Sequence, residues 1–124
     1  LGTKIPLPDL EAIYTGAYGD EGQRKRALAL LERHRHDEYA PTLLIMVGEP
    51  ERAFAIFEHS QSGLSDAFFD WLWMQEDWSR RARQSPAFQG FAKRLGMVAY
   101  WQKYAWPDQC SPSPDAGPDA FECR

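Results

Sequence analysis

Residues 48–58 read GEPERAFAIFE, and this stretch sets the period in which the rest of the chain is read. Pro50 suits the first turn of a helix, where a missing N–H leaves no bond unmade. Ala53, Phe54 and Phe57 then recur at the three- and four-residue spacing that gathers apolar side chains on one helical face. Gly48 is the residue type that closes a preceding helix, because it enters the left-handed conformation at little cost. An earlier stretch, GQRKRALALLE at 22–32, places Gly, Arg, Ala, Ala and Glu at the same offsets. In each copy a glycine precedes by five residues an alanine, Ala27 or Ala53, that opens a core face. Alanine there lets two helices approach to about 8–10 Å, and the larger residues three and four positions on fill the space beside it.

The same period extends in both directions. Pro6 and Pro8 form an extended lead-in, and Asp9 is placed to cap a helix over 10–18, with Leu10, Ile13, Tyr14 and Ala17 on one face. Gly19 and Gly22 interrupt it. A second helix is predicted over 23–35, a polar HRHDE turn follows, and a third covers 38–47, with Pro41 in its first turn. The fourth runs over 50–59. SQSG at 60–63 separates it from a fifth over 65–75, whose Phe68, Phe69, Leu72 and Trp73 face inward. The segment SPAFQGFAKRLGMVAYWQKYAWPDQC at 85–110 carries six aromatic rings and two further short helices, 86–95 and 98–104. No run alternates strictly between apolar and polar residues, and β-branched residues are scarce. The expectation is an all-α domain of six or seven helices over 1–108, in antiparallel hairpins and with no sheet, followed by a flexible Pro/Ser/Asp-rich tail over 109–124.

Composition narrows the function classes. The 124 residues suit one domain, and 44% hydrophobic with 26% charged residues is a globular balance. A net charge of −4 disfavours a nucleic-acid partner, which would ask for a basic face. The run RRAR at 80–83 is read as a solvated helical face. No apolar run is long enough to span a bilayer, so the segment is expected to be soluble, cytoplasmic or periplasmic, without membrane insertion. Cys110 and Cys123 both lie in the tail, and the sequence leaves open whether they pair.

The segments YAPTLLIMV and VGEPERAFAIFEHSQSG, with Gly48, Ala53 and Phe57, resemble the second half of a tetratricopeptide repeat (TPR). Pro86, Phe88, Leu95 and Gly96, then YW at 100–101 and WPD at 106–108, resemble the segment that follows the last repeat of bacterial TPR proteins. The resemblance covers about residues 38–110 well and 10–35 more loosely. One departure is that Ala27 and Ala53 are 26 residues apart, whereas a repeat is about 34 residues long. The resemblance implies a short solenoid of stacked helical hairpins, at the C-terminal end of a larger bacterial regulatory protein. Phe88, Phe91, Leu95, Tyr100 and Trp101 would cap its last apolar face.

Catalytic chemistry has no motif here. GAYGDEG lacks the Lys-Ser/Thr of a phosphate loop, and neither HExxH, CxxC nor GxSxG occurs. His34 and His36 point apart on a helix, so they are read as a solvated end rather than as metal ligands. Glu76 and Asp77 are adjacent and read as a helix terminus. The chain is therefore expected to be no enzyme, with no catalytic, cofactor or metal residues. Its expected role is a scaffold that binds a protein or peptide in a TPR-like groove, through Tyr14, Tyr39, Thr42 and Met46. The alternative is a small-ligand sensor with Phe68, Trp71 and Trp78 as pocket wall.

Overall fold

The computed structural model describes residues 3–59 and 66–124. Helix α1, Leu7–Tyr18, begins two residues earlier than Asp9, because Pro8 fits its first turn. Asp9 is not the cap. Its carboxylate lies 2.8 Å from His34 Nε2, at the end of α2, Glu21–Arg33. The true cap in this hairpin is Asp20. Its side chain accepts from the Gln23 N–H, while the Gln23 side chain accepts from the Asp20 N–H, both at 2.8 Å. Such reciprocal capping starts a helix sharply after a glycine turn.

The two helices meet at Gly16 and Ala27, both fully enclosed. A methyl group on Gly16 would overlap the Ala27 side chain and come within 2.7 Å of the Gln23 carbonyl oxygen. Alanine ordinarily favours a helix over glycine by about 1 kcal/mol. Gly16→Ala is nonetheless expected to destabilise, by about 1–3 kcal/mol, since the overlap forces the helices apart. A raised midpoint in urea would show that the crossing is looser than this.

Helix α3, Ala40–Val47, is buried along all eight residues. It is apolar all round, as a central helix must be, and it packs against α1, α2, α4 (Pro50–His59), α5 (Asp66–Leu72) and α6 (Asp77–Gln84). Gly48 ends it with φ of 92°, so the closing turn between α3 and α4 needs a glycine. Ala53 is fully buried on α4. The SQSG connection expected at 60–63, and the first residue of the fifth predicted helix, lie outside the described residues. Helix α6 carries the RRAR run expected as a helical face, with Glu76 and Asp77 at its start; its buried side was not expected, since three arginines hide it.

Helices α7, Pro86–Arg94, and α8, Met97–Lys103, follow. Ser85 caps α7, its side chain accepting from the Phe88 N–H. Phe54, Phe57, Phe68, Phe88 and Phe91 then form one ring cluster, with centroids 4.3 Å apart for Phe57–Phe68 and 4.5 Å for Phe54–Phe91. Of the expected capping rings and chains, Phe88, Phe91 and Trp101 are buried, while Leu95 and Tyr100 face solvent. Described residues thus form eight helices, and the domain is mainly α-helical.

Residues 109–124 depart from the expected flexible tail and from the expected absence of a sheet. Strands β1, Cys110–Pro112, and β2, Phe121–Cys123, pair antiparallel, with Cys110 opposite Cys123. A disulfide joins the two cysteines. Phe121 is buried against Trp101, Trp106 and Phe88, at centroid distances of 5.6, 5.8 and 5.9 Å. Burial of one such ring contributes about 1.5–3 kcal/mol, which is why a segment rich in proline docks. Strands this short carry too few residues to show alternation.

The RRAR run also divides. Arg80 and Arg81 are exposed, as a solvated face requires, but Arg83 is buried with 4% of its surface accessible. Its guanidinium donates to the carbonyls of Leu72 and Met74, each at 2.8 Å, and to the main-chain oxygen of Arg124 at 2.9 and 3.2 Å. It also lies over the Trp73 ring. Burial first, and the Arg80 charge second, lower its pKa from the ordinary value. An arginine stays charged in proteins even so, and main-chain oxygens offset its desolvation. Arg83 thereby ties α5, α6 and the hairpin together.

Candidate functional site

A cleft of about 390 Å³ opens between α1 and α6, with the end of α3 as its floor. Ala17, Met46 and Pro50 supply apolar lining, Trp78 an aromatic wall, and Arg24 and Arg81 two cations. The glycine-rich end of α1 makes room for it, since Gly16 and Gly19 line it without side chains. Trp78 is fixed from two sides. Its Nε1 donates to the Tyr18 hydroxyl at 3.3 Å, which ties α6 to α1, and its ring lies 5.3 Å from that of Trp71.

The two arginines differ. Arg24 is committed: it donates to the carbonyls of Val47 and Gly48 and pairs with Glu49 at 2.8 Å. It therefore serves as the cationic cap that a helix C-terminus favours, here that of α3. Arg81 is exposed, and among the described residues no carboxylate lies within ion-pair distance of it. It is the lining group with charge to offer.

The four residues expected to form a groove do not share a surface. Tyr14 is 44% exposed on α1. Tyr39 is half-buried beside the start of α3. Thr42 and Met46 are interior, at 0% and 2% exposure, because α3 has no open face. Met46 reaches only the floor of the cleft. From the alternative trio, Phe68 belongs to the ring core, while Trp78 lines the cleft and Trp71 backs it. Arg81, read only as part of a solvated face, and Tyr18 were not expected at a site. The signal that would have found Arg81 is its position three residues after Trp78, on one face of a helix.

Thr42 carries the one buried side-chain oxygen without a hydrogen-bond partner among the described residues. A buried hydroxyl left unpaired costs about 1–3 kcal/mol. Thr42→Val keeps the shape and removes the hydroxyl, so it is expected to raise the melting temperature by a few degrees. A fall would mean that the hydroxyl has a partner in solution.

Other clusters are spoken for. Asp37 accepts from the Thr3 hydroxyl and from the N–H groups of Lys4 and Tyr39, and His34 is held by Asp9. Among the described residues no three of His, Cys, Asp and Glu gather as metal ligands would. Glu76 and Asp77 sit at the start of α6, as a helix terminus, with Asp77 bonded to Arg80 at 3.2 Å. No helix among the described residues is long and apolar enough to cross a membrane. Comparison with family models, with curated proteins and with solved structures found no match to this chain, so the cleft is interpreted from its own geometry.

Proposed function

We propose that the chain is a protein-interaction module whose cleft between α1 and α6 takes a peptide segment of a partner. The observation that carries this is an open cleft of mixed lining, apolar at Ala17, Met46 and Trp78 and edged by Arg81, a cation with no carboxylate partner among the described residues. The fitting segment places an apolar side chain over Met46 beside Trp78, and an Asp or Glu next to it on Arg81. Desolvated aromatic and arginine groups are the usual anchors of such contacts.

A TPR-like arrangement is supported by the order of packing. Helix α3 packs on both α1 and α2, and α5 packs on α3, as the first helix of each stacked pair would. The repeated glutamates support it too: Glu32 on α2 bonds Arg52 on α4, and Glu58 on α4 grips Arg94 on α7. In this reading α6 packs on α3 across the concave face and leaves the α1 end of the groove as the cleft. The module would then serve as the binding end of a larger bacterial regulatory protein, as the TPR resemblance implies.

The cleft volume also favours a second reading, a small-ligand site, since such pockets span about 300–1,000 Å³. Titration of tryptophan emission separates the two. Short peptides carrying Leu or Trp beside Asp or Glu are expected to saturate the signal, and Arg81→Glu to weaken them about tenfold or more. Saturation by small aromatic carboxylates but by no peptide would favour the second reading. No saturation by either would refute both.

A further inference from the structure

We propose that the C-terminal hairpin is a redox-sensitive latch, locked by the Cys110–Cys123 disulfide over an aromatic surface formed by Trp101, Trp106 and Phe88. The hairpin has three residues in each strand. A two-stranded ribbon that short is not stable by itself in water. What holds it closed is the disulfide between directly opposed residues, aided by the Ser113 N–H to the Ala120 carbonyl and the Arg124 N–H to the Gln109 carbonyl, both at 2.8 Å. Between the strands lies a loop with Pro114, Gly117 and Pro118, which adds no apolar side chain to the core.

What holds the hairpin down is the Phe121 ring, the buried side chains of Cys110 and Cys123, and a few polar contacts. Phe121 enters between Trp101, Trp106 and Phe88. Its carbonyl accepts from the Gln89 amide, the Arg124 main-chain oxygen accepts from Arg83, and Gln102 reaches Asp119 at 3.2 Å. The Phe121 and Arg124 contacts require a formed hairpin, because Phe121 lies in β2 and Arg124 directly follows it. A disulfide that closes a loop of about 15 residues removes much of the open chain's conformational freedom. Breaking it restores that freedom to residues 109–124, and the docking contacts then have no rigid element to act through.

The chemistry is a two-electron exchange with a dithiol. A thiolate of the reductant attacks one sulfur, the S–S bond breaks through a mixed disulfide, and the second reductant thiol closes its own disulfide. Two protons are taken up by Cys110 and Cys123, which become thiols. The helical body does not contain the cysteines, so it stays folded while the hairpin leaves. The open state displays Trp101, Trp106 and an edge of Phe88 as a ring-lined patch absent from the closed state.

The test uses the full chain, oxidised and after dithiothreitol, with thiols counted by a chromogenic disulfide reagent. Expected on reduction are two thiols per chain, lost hydrogen-exchange protection at the Ser113 and Arg124 amides, and a several-fold rise in tryptophan quenching by acrylamide. The helical circular-dichroism signal should stay within about a tenth of its starting value. The double variant C110S/C123S should match the reduced chain without any reductant. Retained protection in the reduced chain would overturn the latch, because the hairpin would then be self-sufficient. Collapse of the helical signal would overturn it as well, making the disulfide a support of the whole fold. So would failure of dithiothreitol to release thiols from the folded chain.

Discussion

Phe88→Ala is expected to destabilise the protein by about 3–5 kcal/mol. Phe88 is fully buried and touches four other rings, with centroids 5.8 Å to Phe54, 6.4 Å to Phe91, 6.0 Å to Trp73 and 5.9 Å to Phe121. Those neighbours come from α4, α7, the end of α5 and the hairpin. They cannot all move inward to fill the void, so the cavity persists and its cost adds to the lost burial. Domains of this size are stable by about 5–15 kcal/mol, so the variant should sit near the edge of folding. Removing everything after Gln84 deletes the ring cluster's outer wall and should leave an aggregating chain. Urea denaturation of Phe88→Ala reads the first effect, and a loss below about 1.5 kcal/mol would mean that the cluster repacks around the gap.

Arg83→Leu is expected to cost about 3 kcal/mol, although leucine is the more hydrophobic residue. The arginine supplies hydrogen bonds to three main-chain oxygens, on Leu72, Met74 and Arg124. Leucine would leave the Leu72 carbonyl buried and unpaired and the part-buried Met74 and Arg124 oxygens without this donor, at about 1–3 kcal/mol each where water does not replace it. Arg83→Lys separates charge from geometry. A single ammonium cannot reproduce the planar fork that serves three carbonyls at once, so lysine should recover only part of the loss. Full recovery by lysine would show that the charge over Trp73, and not the hydrogen-bond set, is what matters.

Much of the helical body is legible in the residues themselves. Ala27 and Ala53 sit at enclosed positions, and Gly48 turns the chain between α3 and α4 with the positive φ its position suggests. Helix α3 is the instructive miss. APTLLIMV has one polar residue, and a helix apolar all round belongs inside; assigning Thr42 and Met46 to a groove supposed an outer face that the composition does not support. In α6 the buried side, not the helix, was hidden, and for the opposite reason. DWSRRARQ is polar by composition, yet Trp78, Ser79, Ala82 and Arg83 are its buried side. Nothing local announces that Arg83 is interior, because its partners are carbonyls delivered by α5 and the distant hairpin. The cleft shares this property: Trp78 and Ala17 become neighbours only through tertiary packing, so a scan for motifs passes over them. In the tail, Phe121 and the cysteine pair were visible, but strands of three residues have no period to read.

The enclosure of α3 also bears on how such a chain can change over generations. An open stack of helical pairs lengthens or shortens by duplicating or losing whole units, because each unit meets only its neighbours. Here one helix is walled by five others. Inserting a pair beside α3 would disturb that wall, and deleting one would uncover part of α3. Growth by repetition is thus confined to the ends of the stack, away from α3. Insertions are tolerated instead where the chain runs outside the wall, as in the loop between β1 and β2, so lineages that share the core should differ there in length while keeping the same number of helices around α3.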